Sequence, residues 1–477
     1  MGVDQPLHVV ILAAGKGSRM ATTRPKVLNT IAGVPMLERV IRTADLLTPH
    51  SIHVVYGDRG AEVRAGLAHL STKAQLHWIE QSCRLGTGHA VLTALPSIPD
   101  TCRVLILLGD VPIIRLETLT HLLNEARAQN TLAVLTAHVP EPEGYGRILR
   151  AVSTSLDTSQ SGPCVGIVEE SDASPEQRGI CEINSGIMTA PAALLQELLQ
   201  QCKQNNAQGE FYLTDIVGIA ARLGRSPVAV PVTRFEEVAG VNTLRQLIAC
   251  DRWYQRDQAD RLIDAGVRVI DPDRIDVRGE LGCGRDVWID INCVFEGRVI
   301  LGDGCHIEPG CVLKDCEIGP GVSVLAFSHL DGVRAETGVV IGPYARLRPG
   351  TCLEAGSRVG NFVELKKTRL GPRSKVNHLS YVGDATIGRD VNIGAGTITC
   401  NYDGVRKHAT EIGDGVFVGS NTELVAPVRL GDGSVVAAGT TVTSNVDSDT
   451  LVISRVTQQT VAGWSRRRTA RDPEDGD

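Results

Sequence analysis

From about residue 287 the chain carries an aliphatic or aromatic anchor every five or six positions. The series runs Ile289, Phe295, Leu301, Ile307, Leu313, Ile318 and Val324. It resumes from Ile341 to Thr399 and again from Ile412 to Val442. Glycine often follows the anchor, as in "LGDG", "IGPG" and "IGAG". A hexapeptide repeat sustained this long predicts a parallel β-helix, in which three hexads close one triangular coil of about 18 residues. Stacked coils bury the anchors in a common core. Between Thr399 and Ile412 the step is 13 instead of six, so "CNYDGVRKHAT" reads as an inserted loop. Inserted loops on solenoids commonly lie on the binding face.

The register places chemistry on this scaffold. Counted through Val382 and Ile387, Ile393 returns to the face of Val376, and Val418 and Val436 follow it there. Two places beyond these anchors stand His378, Ala395, Ser420 and Ala438, which predicts one outward column at roughly 4.8 Å per coil. One proton-active group at the end of a column of small residues describes a shallow trough for a long, thin ligand. Arg348 and Lys366 are 18 residues apart and each directly follows an anchor, so they stack on a different face. Three prisms packed side by side let two faces meet on one ligand, which predicts a homotrimer with intersubunit sites.

The first half has another character. The runs "LHVVILAAG", "SIHVVYG", "RVLILLGD", "TLAVLTAHV" and "PVAVPV" alternate with helical patterns such as "ETLTHLLNEARAQN". That alternation predicts an α/β domain with a largely parallel sheet over residues 1–241. A linker helix follows over 242–266 with Gly266 as its stop, then the β-helix over 267–456 and a tail over 457–477. The tail, "SRRRTARDPEDGD" included, is expected to be disordered.

Composition excludes several classes. A net charge of −7 and the lack of a basic stripe with interleaved aromatics argue against a nucleic-acid binder. Arg466, Arg467 and Arg468 are followed by acidic residues and read as part of a solvated tail. Thirteen cysteines without a CxxC pair read as structural thiols in a reducing compartment, Cys293, Cys305 and Cys311 at repeat positions. "LHVVILAAG" is too short for a signal peptide and lacks a basic lead, and nothing approaches a membrane span. A cytoplasmic protein is expected, without nucleic-acid or membrane partners.

"LAAGKGSRM" directly follows the first strand. Gly15 and Gly17 let backbone N–H groups approach phosphate, and Lys16, Arg19 and Lys26 bring positive charge to the same place. The glycines alone equally fit a tight strand-to-helix turn. Asp110 in "LLGDVP" ends an apolar strand at the carboxyl edge, where open α/β sheets bind ligands. A carboxylate there suits Mg²⁺ shared with substrate phosphates, or a helix cap. "GTGHA", "GYGRI" and "EINSG" read as further loops.

Together these residues resemble the sugar-nucleotide pyrophosphorylases. With the repeat attached, the chain resembles the family that joins an N-acetylglucosamine-1-phosphate uridylyltransferase to a glucosamine-1-phosphate N-acetyltransferase. The likeness runs from "VVILAAGKGSRM" to "ISRV". It implies a Rossmann-like nucleotidyltransferase domain followed by a left-handed parallel β-helix, with Mg²⁺ as cofactor and UTP and acetyl-CoA as co-substrates. By the resemblance Leu12, Ala13, Ala14 and Gly15 contact the nucleotide, with Lys26 and Arg19 at its phosphates and Gly109 beside Asp110. Gln81, Gly86 and Thr87 read uracil; Gly146, Glu169 and Asn184 hold the sugar; Asp110 and Asn242 bind Mg²⁺. On the prism it makes His378 the general base, a role that suits a histidine because free imidazole titrates near working pH. It assigns Arg348, Lys366, Tyr381 and Asn392 to glucosamine-1-phosphate. Ala395, Asn401, Tyr402, Ser420, Ala438 and Arg455 fall to acetyl-CoA. Leu108 and Asn377 depart from the family's commoner tyrosine and glycine. A nucleotidyltransferase of single activity, with the prism only a trimerising module, is the rival reading.

Overall fold

In the computed structural model, residues 5–15, 17–20, 22–151 and 162–464 are described. Lys16, the Arg466–Arg468 run and the tail beyond residue 464 lie outside them. The chain divides into two compact units, Met1–Asp257 and Gln258–Asp477.

The first unit is built on a sheet whose main path runs Val228–Pro231, Ala133–His138, Glu182–Pro191, Arg103–Leu108, Leu7–Ala13, Ser51–Tyr56 and Gln75–Glu80. All its neighbours pair in parallel except Glu182–Pro191, which is antiparallel to both sides. The strand Leu7–Ala13 shows why the sheet forms. Val9, Val10 and Ile11 are fully buried, and β-branched side chains suit a pleated surface covered on both faces. Each such burial contributes about 1.5–3 kcal/mol. The five apolar runs read as strands are strands, and "ETLTHLLNEARAQN" lies in the helix Leu116–Gln129, ended by Asn130 at φ 46°.

"EINSG" corrects its reading as a loop: it opens the strand Glu182–Pro191, with a register shift between Asn184 and Met188. "GTGHA" likewise enters the helix Thr87–Ala94, and "GYGRI" the strand Arg147–Arg150. Gly86 and Gly146 stand just before a regular element, whereas Gly186 lies inside its strand at the register shift.

The helix Leu244–Asp264 begins with a capping box. The Gln246 amide donates to the Thr243 hydroxyl at 3.2 Å, and the Gln246 side chain accepts from the Thr243 amide at 3.1 Å. The division between the units falls inside this helix, and Gly266 follows it at φ 92°.

The second unit is a parallel β-helix. One sheet stacks a strand per coil, and a larger sheet carries the other two faces. Most coils repeat at 17 or 18 residues, as Val359 against Val376 and Leu347 against Leu365, and the coil with the inserted loop takes 25, from Ile393 to Val418. Val376, Ile393, Val418 and Val436 pair successively on one face as the hexad count requires. Their side chains join one continuous core with Cys293, Cys305 and Cys311, each fully buried. All thirteen cysteines are free, and burial pushes the Cys311 thiol up to about 12. The buried sulfurs of Cys293, Cys305 and Cys311 serve as small apolar packing groups in this core.

Candidate functional sites

In the first unit the carboxyl ends of the strands carry a charged cluster. The Gly109 amide donates to the Leu12 carbonyl at 2.9 Å, extending the pairing one residue past the strand Arg103–Leu108 and setting Asp110 at the sheet edge. The Val241 amide donates to the Asp110 carbonyl at 2.9 Å and brings Asn242 alongside. Lys26 lies on the single turn Lys26–Leu28, and its ammonium donates to the Asp110 carboxylate and, at 2.9 Å, to Asn242 Oδ1. Three residues separated by up to 216 positions thus meet around one positive charge. A β-carbon on Gly17, at φ 64°, would sit 2.6 Å from that of Lys26, so this loop closes only over glycine.

A cleft of about 240 Å³ opens beside the cluster, lined by Ala13, Ala14, Gly15, Lys26, Gly57 and Arg84 among others. Arg19 is exposed on the turn Ser18–Met20, outside that lining. Gln81 is buried and donates to the Gly86 carbonyl and to His89 Nδ1, both at 3.1 Å. The Thr87 hydroxyl accepts from the Leu213 amide at 3.0 Å, and Gly88 donates to the Phe211 carbonyl at 2.8 Å. His89, passed over in the sequence, is therefore the partner that orients Gln81.

Gly146, Glu169 and Asn184 also converge. The Asn184 amide donates to the Gly146 carbonyl at 2.8 Å, and a β-carbon on Gly146 would lie 3.2 Å from the Glu169 carboxylate. Burial pushes the Glu169 carboxyl up, Asp172 and Asp215 add to this, and the hydroxyl of Thr214 at 2.8 Å opposes it. Leu108 packs over Gly186, where a β-carbon would fall 2.5 Å from it.

On the prism the predicted column is continuous. His378 pairs in register with Asn361. Towards the other end, Gly396 donates to the His378 carbonyl, Asn421 to that of Ala395 and Gly439 to that of Ser420. The Arg455 guanidinium donates to the Ala438 carbonyl at 3.1 Å and closes the column. Beside it runs a corner of left-handed residues: Phe327, Tyr344, Phe362, Leu379, Gly396, Asn421 and Gly439 all have positive φ. The first four are exposed and apolar, and the three rings stack with centroids 5.2 and 5.4 Å apart. The apolar ladder stops where the small-residue trough begins.

Lys366 and Tyr381 occupy the larger sheet and Arg348 directly follows one of its strands, Arg346–Leu347, while His378 and Asn392 occupy the other. The Arg348 amide donates to the Leu365 carbonyl, stacking Arg348 one coil from Lys366. Lys407, from the inserted loop and unnoticed in the sequence, is the main cause that pushes the exposed Lys366 ammonium below its ordinary value; Arg348 adds to it. Asn401 is buried and donates to Asp384, whereas Tyr402 is exposed, its hydroxyl on the Gly404 carbonyl. Asp403 pins the loop by accepting from the Val405 and Arg406 amides and from His408.

Among the described residues no group of three or more His, Cys, Asp or Glu could hold a metal, and no helix is long and apolar enough to cross a membrane. The model of the MobA-like NTP transferase domain matches residues 9–247. Models of the bacterial transferase hexapeptide and of the hexapeptide repeat of succinyl-transferase match 283–315 and 410–444. A solved UDP-glucose pyrophosphorylase complexed with UDP-glucose is similar at 18% identity and a TM-score of 0.43, over 53% of this chain and 99% of that one. The bifunctional protein GlmU of Alkalilimnicola ehrlichii is 49% identical over 100% of this chain and 99% of its own. Those of Marinobacter nauticus and Aromatoleum aromaticum are each 50% identical, over 98% and 96% of this chain and 100% and 98% of theirs. With half its residues shared along its whole length, the chain belongs to the family of bifunctional GlmU proteins.

Proposed function

We propose that the chain acetylates glucosamine-1-phosphate with acetyl-CoA and then couples N-acetylglucosamine-1-phosphate to UMP from UTP, releasing pyrophosphate. What carries this reading is the presence of two separately built polar sites in one chain. One is the Lys26, Asp110 and Asn242 cluster; the other is the His378 column with the Arg348, Lys366 and Lys407 cations.

In uridylyl transfer a phosphate oxygen of the sugar attacks the α-phosphorus, and the bond to pyrophosphate breaks. Such transfers rest on alignment and charge neutralisation. Lys26 supplies a cation at the strand edge, the loop at Gly15 lets phosphate approach, and Gln81, fixed by His89, faces uracil. The oxygens of Asp110 and Asn242 fit Mg²⁺, because both already converge on the Lys26 ammonium as a stand-in cation. When bound, the ion neutralises phosphate charge.

In acetyl transfer the amine attacks the thioester carbonyl, forming the C–N bond as the C–S bond breaks. The amine's proton passes to the His378 imidazole, and CoA leaves as a thiolate that takes it up. Arg348, Lys366 and Lys407 hold the sugar phosphate, and the trough beyond His378 accepts the pantetheine arm. His378 and the cations stand on different sheets, and an exposed apolar ladder flanks the histidine; both support a homotrimer whose neighbouring chains complete the site. Thirteen free cysteines support a cytoplasmic setting.

A uridylyltransferase of single activity would have no use for an exposed histidine at the head of a trough. Assays of CoA and pyrophosphate release decide between the readings. His378→Ala should abolish the first and spare the second, and Asp110→Ala the reverse. A wild-type chain that releases no CoA from acetyl-CoA and glucosamine-1-phosphate would sink the acetyltransferase half.

A further inference from the structure

We infer that Asn361 is a positioning residue that sets the tautomer and aim of His378; this rests on the acetyltransferase reading above. Asn361 lies one coil from His378 in direct register, and His378 Nδ1 is 2.8 Å from Asn361 Oδ1. An amide oxygen can only accept, so Nδ1 carries the hydrogen. A neutral imidazole has one N–H, and its lone pair therefore sits on Nε2, the atom left free to take the amine's proton.

The surroundings leave this task to Asn361. The backbone of His378 is held on its own, its carbonyl accepting from the Ser380 hydroxyl at 2.8 Å and the Gly396 amide at 3.3 Å. The Leu379 amide donates to the Asn361 carbonyl at 3.1 Å, which locks the two coils together beside the ring. What remains soft is the rotation of an exposed imidazole, and the Asn361 amide restrains it. The partner is neutral. A carboxylate there would favour the imidazolium and raise the pH at which the base becomes available.

The test follows CoA release by the full-length chain from about pH 6 to 9, comparing wild type with Asn361→Ala, Asn361→Asp and His378→Ala. Asn361→Ala should lose about ten- to a hundredfold in kcat, as for other residues that orient a functional histidine, with KM for both substrates held within about twofold. Asn361→Asp, nearly isosteric and the safeguard against misfolding, should retain most of the rate at high pH. Its acid limb should move up by about one pH unit. The inference is overturned if Asn361→Ala, melting like wild type, keeps its kcat and pH profile, or loses activity only through KM. An unmoved acid limb in Asn361→Asp also overturns it. Failure of the acetyltransferase reading looks different: wild type itself then releases no CoA, and both ideas fall.

Discussion

A methyl group on Gly383 would fall 2.5 Å from the Tyr381 hydroxyl and 2.8 Å from the Asn401 amide nitrogen. Tyr381 thus folds back along its own strand, and its phenol reaches the root of the inserted loop only because residue 383 has no β-carbon. In Gly383→Ala something must shift, at a cost of about 1–3 kcal/mol for overpacking. The KM for glucosamine-1-phosphate should rise several-fold in CoA-release assays, while pyrophosphate release stays unchanged. An unaltered KM would remove Tyr381 from the sugar site.

The ladder of Phe327, Tyr344, Phe362 and Leu379 is a contiguous exposed apolar strip, with Phe362 57% exposed in the single chain. A strip of this kind commonly marks a protein contact. Aspartate tolerates the φ of 56° at position 362, so Phe362→Asp should leave the coil intact and place a charge in the seam. Sedimentation should show dissociation to monomer, with loss of CoA release and retention of pyrophosphate release. A variant that remains trimeric would show that the chains meet elsewhere.

A third prediction concerns acid stability. Ser51 Oγ lies 2.7 Å from both His8 Nδ1 and His53 Nε2, Ser97 Oγ approaches His53 Nδ1 at 3.2 Å, His77 stacks on His53, and His50 lies tilted against His8. Burial, with His77 and His8 adding, pushes His53 down to about 4. A histidine whose pKa is lowered on folding binds more protons when unfolded. Stability is therefore intact above the unfolded value near 6.5 and is lost as pH falls from there through about 4. The loss is on the order of 3 kcal/mol when complete. Thermal melts of wild type should fall between pH 6.5 and 4, and His53→Gln should flatten that dependence. Equal slopes in the two proteins would refute the account.

Much of the β-helix was legible because a hexad leaves little freedom. Once Val376 faces inward, the coil length fixes where Ile393 must stand and, with the inserted loop set aside, Val418, and with them His378, Ala395 and Ser420. The α/β unit was legible as a strand and helix alternation, but "EINSG" was misread, since a glycine inside a bulged strand looks locally like a turn. Asn361, Lys407 and His89 escaped notice for a shared reason: none belongs to a motif, and each acts through a partner brought near only by folding.

By itself the amino-acid order determined the periodicities, hence the two architectures and the outward column that carries His378. Those follow from local backbone geometry and from the burial of apolar side chains at regular intervals. Only the tertiary structure decided that the Lys26 ammonium rests between Asp110 and Asn242, that Tyr381 bends over Gly383, and that Asn361 faces the histidine. Such contacts depend on distances of a few ångströms between residues far apart in the chain, where a hydrogen bond forms or fails and the pattern of residues along the chain carries no measure of it.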